Sequence, residues 1–377
     1  MAGVYIHIPF CKQRCHYCNF YSVVSERFRQ PFINALLNEI EQRKSYLQTE
    51  PVNTIYFGGG TPSLLEIADI SLLIKKIQNA YNVQPEVEIT LEANPDDLNA
   101  DNLRMLKNET PVNRLSIGIQ SFFDDDLHYL NRVHNSRQAY YSIELAKKSG
   151  FNNLTIDLIY GIPTLTRKKW LKNLDTFFSF ALPHLSAYSL TVEPKTALFT
   201  LINKGKLKNV EERQSIDHFK LLMEKTSEHN YIHYEISNFA REGYYSKHNS
   251  IYWLGGHYIG FGPSSHSFNG VSRQWNVLNM KQYIEAEKTE NSIAEKEVLT
   301  INQRYNEYVM TSLRTSWGCD REHIRNVFGE KYSNYFVKNV ISFIKIGKVR
   351  QQDNRYFLTQ TGKLFADGIA SDLFSAD

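Results

Sequence analysis

Residues 4–18 read Val4-Tyr-Ile-His-Ile8-Pro-Phe-Cys11-Lys-Gln-Arg-Cys15-His-Tyr-Cys18. Val4–Ile8 is a run of β-branched and aromatic side chains, which predicts a short strand. The strand runs through Pro9 straight into three cysteines. The chain has four cysteines in all, and the fourth, Cys319, lies far away. A disulfide framework spreads its cysteines along a secreted chain, whereas a tight trio in a reducing compartment points to metal or cluster ligation. Three thiolates on one loop can hold three corners of a cubane iron–sulfur cluster and leave one iron open. The competing reading is zinc, held by the trio with His16 or Cys319. The spacing of three residues and then two fits poorly with paired knuckles.

Working outward, the pattern set by Val4–Ile8 recurs. Thr54–Phe57, Glu86–Leu91, Arg114–Ile119, Asn153–Ile159 and Leu185–Leu190 complete six predicted strands. Between them, apolar spacing of three and four predicts helices over Arg29–Arg43, Ile67–Ala80, Ala100–Lys107, Arg137–Lys148 and Arg167–Phe180. Strands alternating with helices argue for a parallel sheet with crossover helices. In such sheets ligand chemistry gathers at the C-terminal strand ends. Cys11, Gly58–Gly60, Glu92, Asn94, Gln120 and Asp157 all fall at or near those ends.

Beyond about residue 195 the pattern changes. Glu211–Glu228 predicts a long helix, and 232–275 is rich in aromatics, histidine and glycine with weak periodicity. Asn302–Thr315, Arg321–Phe328 and Tyr332–Ile344 predict helices. The tail reads as a hairpin turning at Asp353-Asn354, so the C-terminal unit is expected to be winged-helix-like. The domains are placed at 1–230 (partial barrel), 231–290 (linker region) and 291–377 (C-terminal unit).

Composition narrows the classes. The 377 residues are 42% hydrophobic, 13% aromatic and 22% charged, which suits a globular chain with a sizeable core. The net charge of +3 is too small to argue for nucleic acid or anionic membrane. No apolar run approaches a membrane span, and no secretory signal is evident, so a cytoplasmic protein without an integral membrane segment is expected.

The three-cysteine pattern after the first strand resembles the radical S-adenosylmethionine superfamily. Within it, the chain is similar to the group containing oxygen-independent coproporphyrinogen III oxidase (HemN) and the haem chaperone HemW. The resemblance covers nearly the whole chain. Its further landmarks are Gly58-Gly-Gly-Thr61-Pro62, Glu92-Ala-Asn94-Pro95, Gly118-Ile-Gln120-Ser121 and Asp157-Leu-Ile-Tyr-Gly161-Ile-Pro163. It implies a partial (β/α)6 barrel with a smaller C-terminal helical domain. It also implies a [4Fe-4S] cluster on Cys11, Cys15 and Cys18, and S-adenosylmethionine bound at the open iron.

By the same resemblance, Tyr5, Tyr17, Gly59, Gly60, Thr61, Glu92, Gln120, Arg132, Asp157, Thr191 and His266 are expected to line the S-adenosylmethionine site. Glycines let backbone approach the methionine portion, and the polar residues offer partners for ammonium, carboxylate and ribose. A tight strand-to-helix turn is the plainer reading of the glycines.

Three features favour the chaperone branch. The oxidase has a fourth cysteine two residues after the third, where this chain has Phe20. The oxidase also carries an N-terminal arm, whereas here Tyr5 already belongs to the first strand. Third, His248-Asn249-Ser-Ile-Tyr252-Trp253 matches an HNxxYW motif associated with haem binding in that branch. His248 is the expected iron ligand, with Tyr252 and Trp253 as flat apolar faces. A structural loop in which His248 bonds to its own surroundings is the alternative.

Cys319 is expected to be a buried small residue, and the C-terminal unit a lid or partner-binding module rather than a nucleic-acid binder. The expected function is haem carriage to an acceptor protein such as a respiratory enzyme, with membrane contact only peripheral and through that acceptor. Homodimerisation and cleavage of S-adenosylmethionine are both left open. The alternatives are coproporphyrinogen III decarboxylation, a radical enzyme acting on haem, and a zinc-stabilised binding module.

Overall fold

The computed structural model of the chain describes residues 2–289 and 294–376. The barrel is built from β1 (Ala2–Ile8), α1 (Arg29–Gln42), β2 (Val52–Gly59), α2 (Ile67–Ala80), β3 (Val83–Ala93) and α3 (Ala100–Glu109). It continues through β4 (Arg114–Gln120), α4 (Asp124–Tyr129), α5 (Ser136–Lys148), β5 (Asn153–Tyr160), α6 (Arg167–Ser179), β6 (His184–Ser189), α7 (Ala197–Asn203) and α8 (Glu212–Glu228). Strands β1 to β6 pair in parallel, in chain order. Both faces of these strands are covered, as the wholly buried β4 illustrates. This is why they read as near-continuous apolar runs rather than alternating ones. Side-chain caps start several helices; Asn135 and Gln138 form a reciprocal capping box at α5.

The stretch after α8 is built of short strands and two helices. It contributes β7 (Ile232–Glu235), β8 (Asn238–Ala240), α9 (Lys247–Trp253), β9 (His257–Phe261), β10 (His266–Phe268), β11 (Ser272–Asn276) and α10 (Met280–Thr289). With β12 (Ala294–Val298) these extend the sheet at both edges, giving the order β12-β11-β10-β9-β1-β2-β3-β4-β5-β6-β8-β7. Strand β9 is parallel to β1, with Ala2 opposite His257 and Ile6 opposite Phe261. Strands of three to five residues are too short to show a period, so these escaped the sequence reading.

Glu39 of α1 fastens this extension to the barrel. It is fully buried and accepts hydrogen bonds from Arg43 (2.8 Å), Asn276 (2.7 Å), the Gly262 amide (2.9 Å) and the Tyr283 hydroxyl (2.6 Å).

The C-terminal unit comprises α11 (Ile301–Leu313), β13 (Cys319–Asp320), α12 (Arg321–Phe328), α13 (Glu330–Lys345), β14 (Val349–Gln352), β15 (Arg355–Leu358), α14 (Gln360–Lys363) and α15 (Ala366–Asp372). The hairpin turns at Asp353-Asn354, and a third short strand completes a wing. This unit has its own core, which includes Tyr305, Val309, Cys319, Phe336 and Val340. It is joined to the barrel by an Arg273–Glu307 ion pair (2.8 Å) and a Ser316 amide bond to the Tyr234 carbonyl (2.9 Å).

Candidate functional site

The cysteine loop leaves β1 and is tied down along its length. The Cys11 amide donates to the Val23 carbonyl (3.0 Å), and the His16 amide donates to the Leu130 carbonyl (3.1 Å). The His16 carbonyl accepts from the Leu198 amide (2.7 Å), and His16 Nδ1 meets the Tyr129 carbonyl at 3.1 Å. Lys12 pairs with Asp96 (2.8 Å) and Asp97. With its backbone thus fixed, the loop turns Cys11, Cys15 and Cys18 toward one cavity of about 460 Å³ at the C-terminal ends of the strands.

All three thiols are partly exposed. Burial pushes the Cys11 and Cys18 thiols upward from their ordinary range. Arg132 donates to Cys15 Sγ (3.3 Å), to Asn94 Oδ1 (2.5 Å) and to the Gly118 carbonyl (2.9 Å). Asn94 in turn donates to Thr61 Oγ1 (3.0 Å), and Thr61 donates to Cys11 Sγ (3.7 Å). One hydrogen-bonded chain therefore spans two of the thiols.

The same cavity is lined by Tyr17, Gly59, Gly60, Thr61, Glu92, Gln120, Arg132, Asp157 and Thr191. Sequence reasoning did not assign Ser116, Tyr188 or Glu193 to it, although Tyr188 and Ser116 sit on β6 and β4 and Glu193 follows β6. Gln120 has φ of +66°, a left-handed conformation unusual for a side-chain-bearing residue. It is the last residue of β4 and is nearly buried. Strain of this kind is held where surrounding structure fixes it, and it gathers at ligand sites.

Glu92 accepts from the Tyr56 hydroxyl (2.7 Å) and the Gly59 amide (3.1 Å). Burial pushes its carboxyl up to about 7; Asp157 adds to the rise, and the two hydrogen bonds oppose it. Asp157 is pushed up to about 6, again chiefly by burial, with hydrogen bonds from Ser186 and Ser116 and the charge of Arg114 opposing. Two desolvated carboxyls facing one cavity favour a cationic ligand, which would restore their ionised state.

The packing of the chain itself leaves no room for side chains at the two glycines. A Cβ on Gly59 (φ +110°) would lie 2.5 Å from the His7 ring, and one on Gly60 would lie 2.7 Å from the Phe10 carbonyl oxygen. Packing against β1 and the start of the cysteine loop excludes side chains there. The backbone of both glycines still faces the cavity.

Two expected residues stand outside the cavity. Tyr5 lies deeper in the barrel, its hydroxyl 3.1 Å from His7 Nδ1 and its ring stacked near Tyr56 and His248. His266 is the exposed first residue of β10, its ring beside Trp275.

The HNxxYW segment falls in α9, and its histidine is buried. His248 is 1% exposed, facing the N-terminal halves of β1 and β2. Its Nδ1 meets Thr54 Oγ1 at 2.7 Å and its Nε2 meets the Tyr252 hydroxyl at 2.8 Å, so both ring nitrogens are engaged. Burial pulls its pKa down to about 3, so the ring is neutral. Ser246 caps the helix, its Oγ accepting a hydrogen bond from the Asn249 backbone amide. Tyr252 and Trp253 instead line a second cavity of about 370 Å³ against the C-terminal unit. Cys319 is fully buried in that unit's core, as expected, and lies outside the cysteine cavity.

Residues 5–177 match the Radical SAM superfamily, and residues 299–365 match the HemN C-terminal domain. A protein of Bacillus subtilis named "Heme chaperone HemW" is 35% identical, covering 98% of each chain. One of the same name from Lactococcus lactis is 33% identical, covering 96% of this chain and 94% of its own. The solved structure of coproporphyrinogen III oxidase (HemN) from Escherichia coli, a radical SAM enzyme, superposes with a TM-score of 0.85 at 24% identity. That superposition covers 99% of this chain and 90% of the other. The fold is thus that of the oxidase, while identity over full length places the chain elsewhere: it belongs to the HemW family of radical SAM proteins.

Proposed function

We propose that this chain is a haem chaperone that carries haem to an acceptor protein and holds a [4Fe-4S] cluster with S-adenosylmethionine. The observation that carries the reading is relationship along essentially the entire chain to proteins named as haem chaperones. The cysteine cavity supports the cofactor part. Cys11, Cys15 and Cys18 would hold the cluster, with no fourth thiol lining that cavity. Phe20, where the oxidase pattern has its fourth cysteine, is 68% exposed.

When bound, the cluster supplies an open iron and an electron for the sulfonium. The chain's own residues do the remainder. Arg132 and Thr61 hold the sulfur positions by hydrogen bonds. Glu92 and Asp157 offer acceptors to the ammonium and ribose of S-adenosylmethionine, and Gln120 and Thr191 line the same cavity. Tyr17 excludes water beside the thiols.

The test is a pair of titrations on anaerobically reconstituted protein with reductant and S-adenosylmethionine. Haem is expected to bind stoichiometrically with a shifted Soret band, and coproporphyrinogen III to keep all its carboxylates. Loss of carboxylate mass would make the chain an oxidase and overturn the reading.

A further inference from the structure

The interior of this barrel carries charge where a parallel barrel ordinarily packs branched apolar side chains. Side chains two apart on a strand share a face. Glu92, Ser116 and Asp157 line the cysteine cavity, so Glu88, Thr90, Arg114 and Asn153 lie on the same inner faces, toward the N-terminal strand ends. Thr90, Arg114 and Asn153 are neighbours on one rung of the sheet, Thr90 opposite Arg114 and Arg114 opposite Asn153. Thr90 Oγ1, Arg114 Nε and Asn153 Oδ1 are all buried without a hydrogen-bond partner. Such atoms weaken a fold, so a rung that gathers them points to a role beyond packing.

Arg114 is 2% exposed and forms no ion pair among the described residues. It stands among three carboxyls instead of pairing with one. Glu92 lies two residues above Thr90 on β3, and Asp157 lies four above Asn153 on β5, where the Ser116 hydroxyl meets it at 3.4 Å. Glu88 lies two residues below Thr90 and accepts from the Lys247 and His248 amides (3.0 and 3.3 Å) at the start of α9. Burial raises all three carboxyls, and the guanidinium charge opposes that rise at each. The other titratable groups around the guanidinium are Tyr56, His184, Tyr234 and His248. Burial keeps both imidazoles neutral and both phenols protonated, so none of them adds charge. The same holds for Tyr5 and Tyr188, which face the carboxyls. Arg132 also acts on Asp157, but it is committed to Cys15, Asn94 and the Gly118 carbonyl.

We propose that Arg114 is a positioning residue for the cofactor cavity: its unpaired charge, held beneath Glu92 and Asp157, poises both carboxyls to receive a cation. The assignment rests on the S-adenosylmethionine reading above. A guanidinium bound to one carboxylate would serve that carboxylate alone. One held among three favours the ionised form of each without taking up an oxygen of either cavity carboxyl. Once both are ionised, the same charge repels a cationic ligand, so its benefit is confined to the pH range in which they titrate. Glu88 draws on the same charge from below and so works against the cavity.

Calorimetric titration of S-adenosylmethionine into the anaerobically reconstituted full-length chain, from pH 6 to 8.5, tests this. Arg114→Gln is expected to bind about threefold or more weaker at pH 6.5 and equally or more tightly at pH 8.5, so that its profile crosses the wild-type one. Arg114→Lys keeps the charge and is expected to follow the wild-type profile. Glu88→Gln carries the test without touching the arginine; it does not line the cavity, and it is expected to bind about twofold tighter at pH 6.5. Structural damage would only weaken binding. A weakening in Arg114→Gln that is equal at every pH overturns the assignment, as does weaker binding at pH 6.5 in a folded Glu88→Gln. Urea unfolding without cofactor gives an independent reading. The deficit in midpoint of Arg114→Gln is expected to grow from pH 6 to pH 8 as the carboxyls ionise, and a deficit indifferent to pH refutes the charge placement. Failure of the wild-type chain to bind S-adenosylmethionine at any pH overturns the cofactor reading itself, so the two failures are distinguishable.

Discussion

Replacing His248 by alanine should cost the barrel stability. The side chain is buried, its two nitrogens bond to Thr54 (2.7 Å) and Tyr252 (2.8 Å), and its ring stacks on Tyr56 at 5.0 Å between centroids. Truncation leaves two hydroxyls unpaired in the interior, at about 1–3 kcal/mol each. It also leaves a ring-sized void, and removal of a buried aromatic ring costs about 3–5 kcal/mol. These terms overlap, so the expected total is about 3–5 kcal/mol. Asn, which can keep the bond to Thr54, should recover roughly half.

The difference should also depend on pH. The folded-state pKa of about 3 lies below the ordinary 6.5. The contribution of the neutral ring is therefore fully present above pH 6.5 and is lost as pH falls toward 3. From pH 7.5 to 5.5 the wild-type advantage should shrink by about 1.4 kcal/mol. Urea unfolding followed by far-ultraviolet circular dichroism at pH 7.5, 6.5 and 5.5 measures both effects. A cost below about 1 kcal/mol at pH 7.5, or a difference indifferent to pH, would refute the buried, doubly bonded placement of the ring.

Arg132→Lys removes the planar fork that reaches Cys15, Asn94 and the Gly118 carbonyl together. Iron and acid-labile sulfide per chain after reconstitution should fall at least about twofold, and unchanged loading would refute a positioning role for the guanidinium. Glu92 and Asp157, held up at about 7 and 6, must release protons to meet a cation. Binding of S-adenosylmethionine should therefore weaken as pH falls below about 7 and should release protons at pH 6.5. Calorimetry in two buffers of different ionisation enthalpy detects that release, and Glu92→Gln should remove most of it. Glu39→Gln sets an amide among four donors to a buried carboxylate and should destabilise the fold by about 3 kcal/mol. A shift below 1 kcal/mol in denaturant unfolding would show that this junction is not holding the sheet extension.

The barrel was legible because its strands are buried on both faces and its crossover helices carry regular apolar spacing. Ile67–Ala80 and Arg321–Phe328 fall where that spacing predicts them. The site was legible in part because strand ends collect ligand chemistry, so Glu92, Gln120 and Asp157 could be placed together before any coordinates. The sheet's flanks were not, since β8 and β10 are three residues each. Strand β3 starts before Pro85, at Val83, because pairing with β2 shifts register near that residue and spares the missing amide. The burial of His248 was not legible, because a motif names residues and not the face they turn. The offset of four between His248 and Tyr252 was the available signal, as it puts both on one helical face, where they bond to each other.

The pairing of β1 with β9 bears on how the molecule is made. Strand β1 lies between β2 and β9, and its β9 neighbour spans residues 257–261 and so is synthesised much later. At ordinary translation speeds that neighbour follows by ten seconds or more, on the order of 5–20 residues per second. Throughout that interval one edge of a strongly apolar strand, followed directly by the loop of three cysteines, stands open to other nascent chains. Truncation after the sixth barrel strand would make that interval permanent, so such fragments should aggregate rather than yield a smaller working barrel.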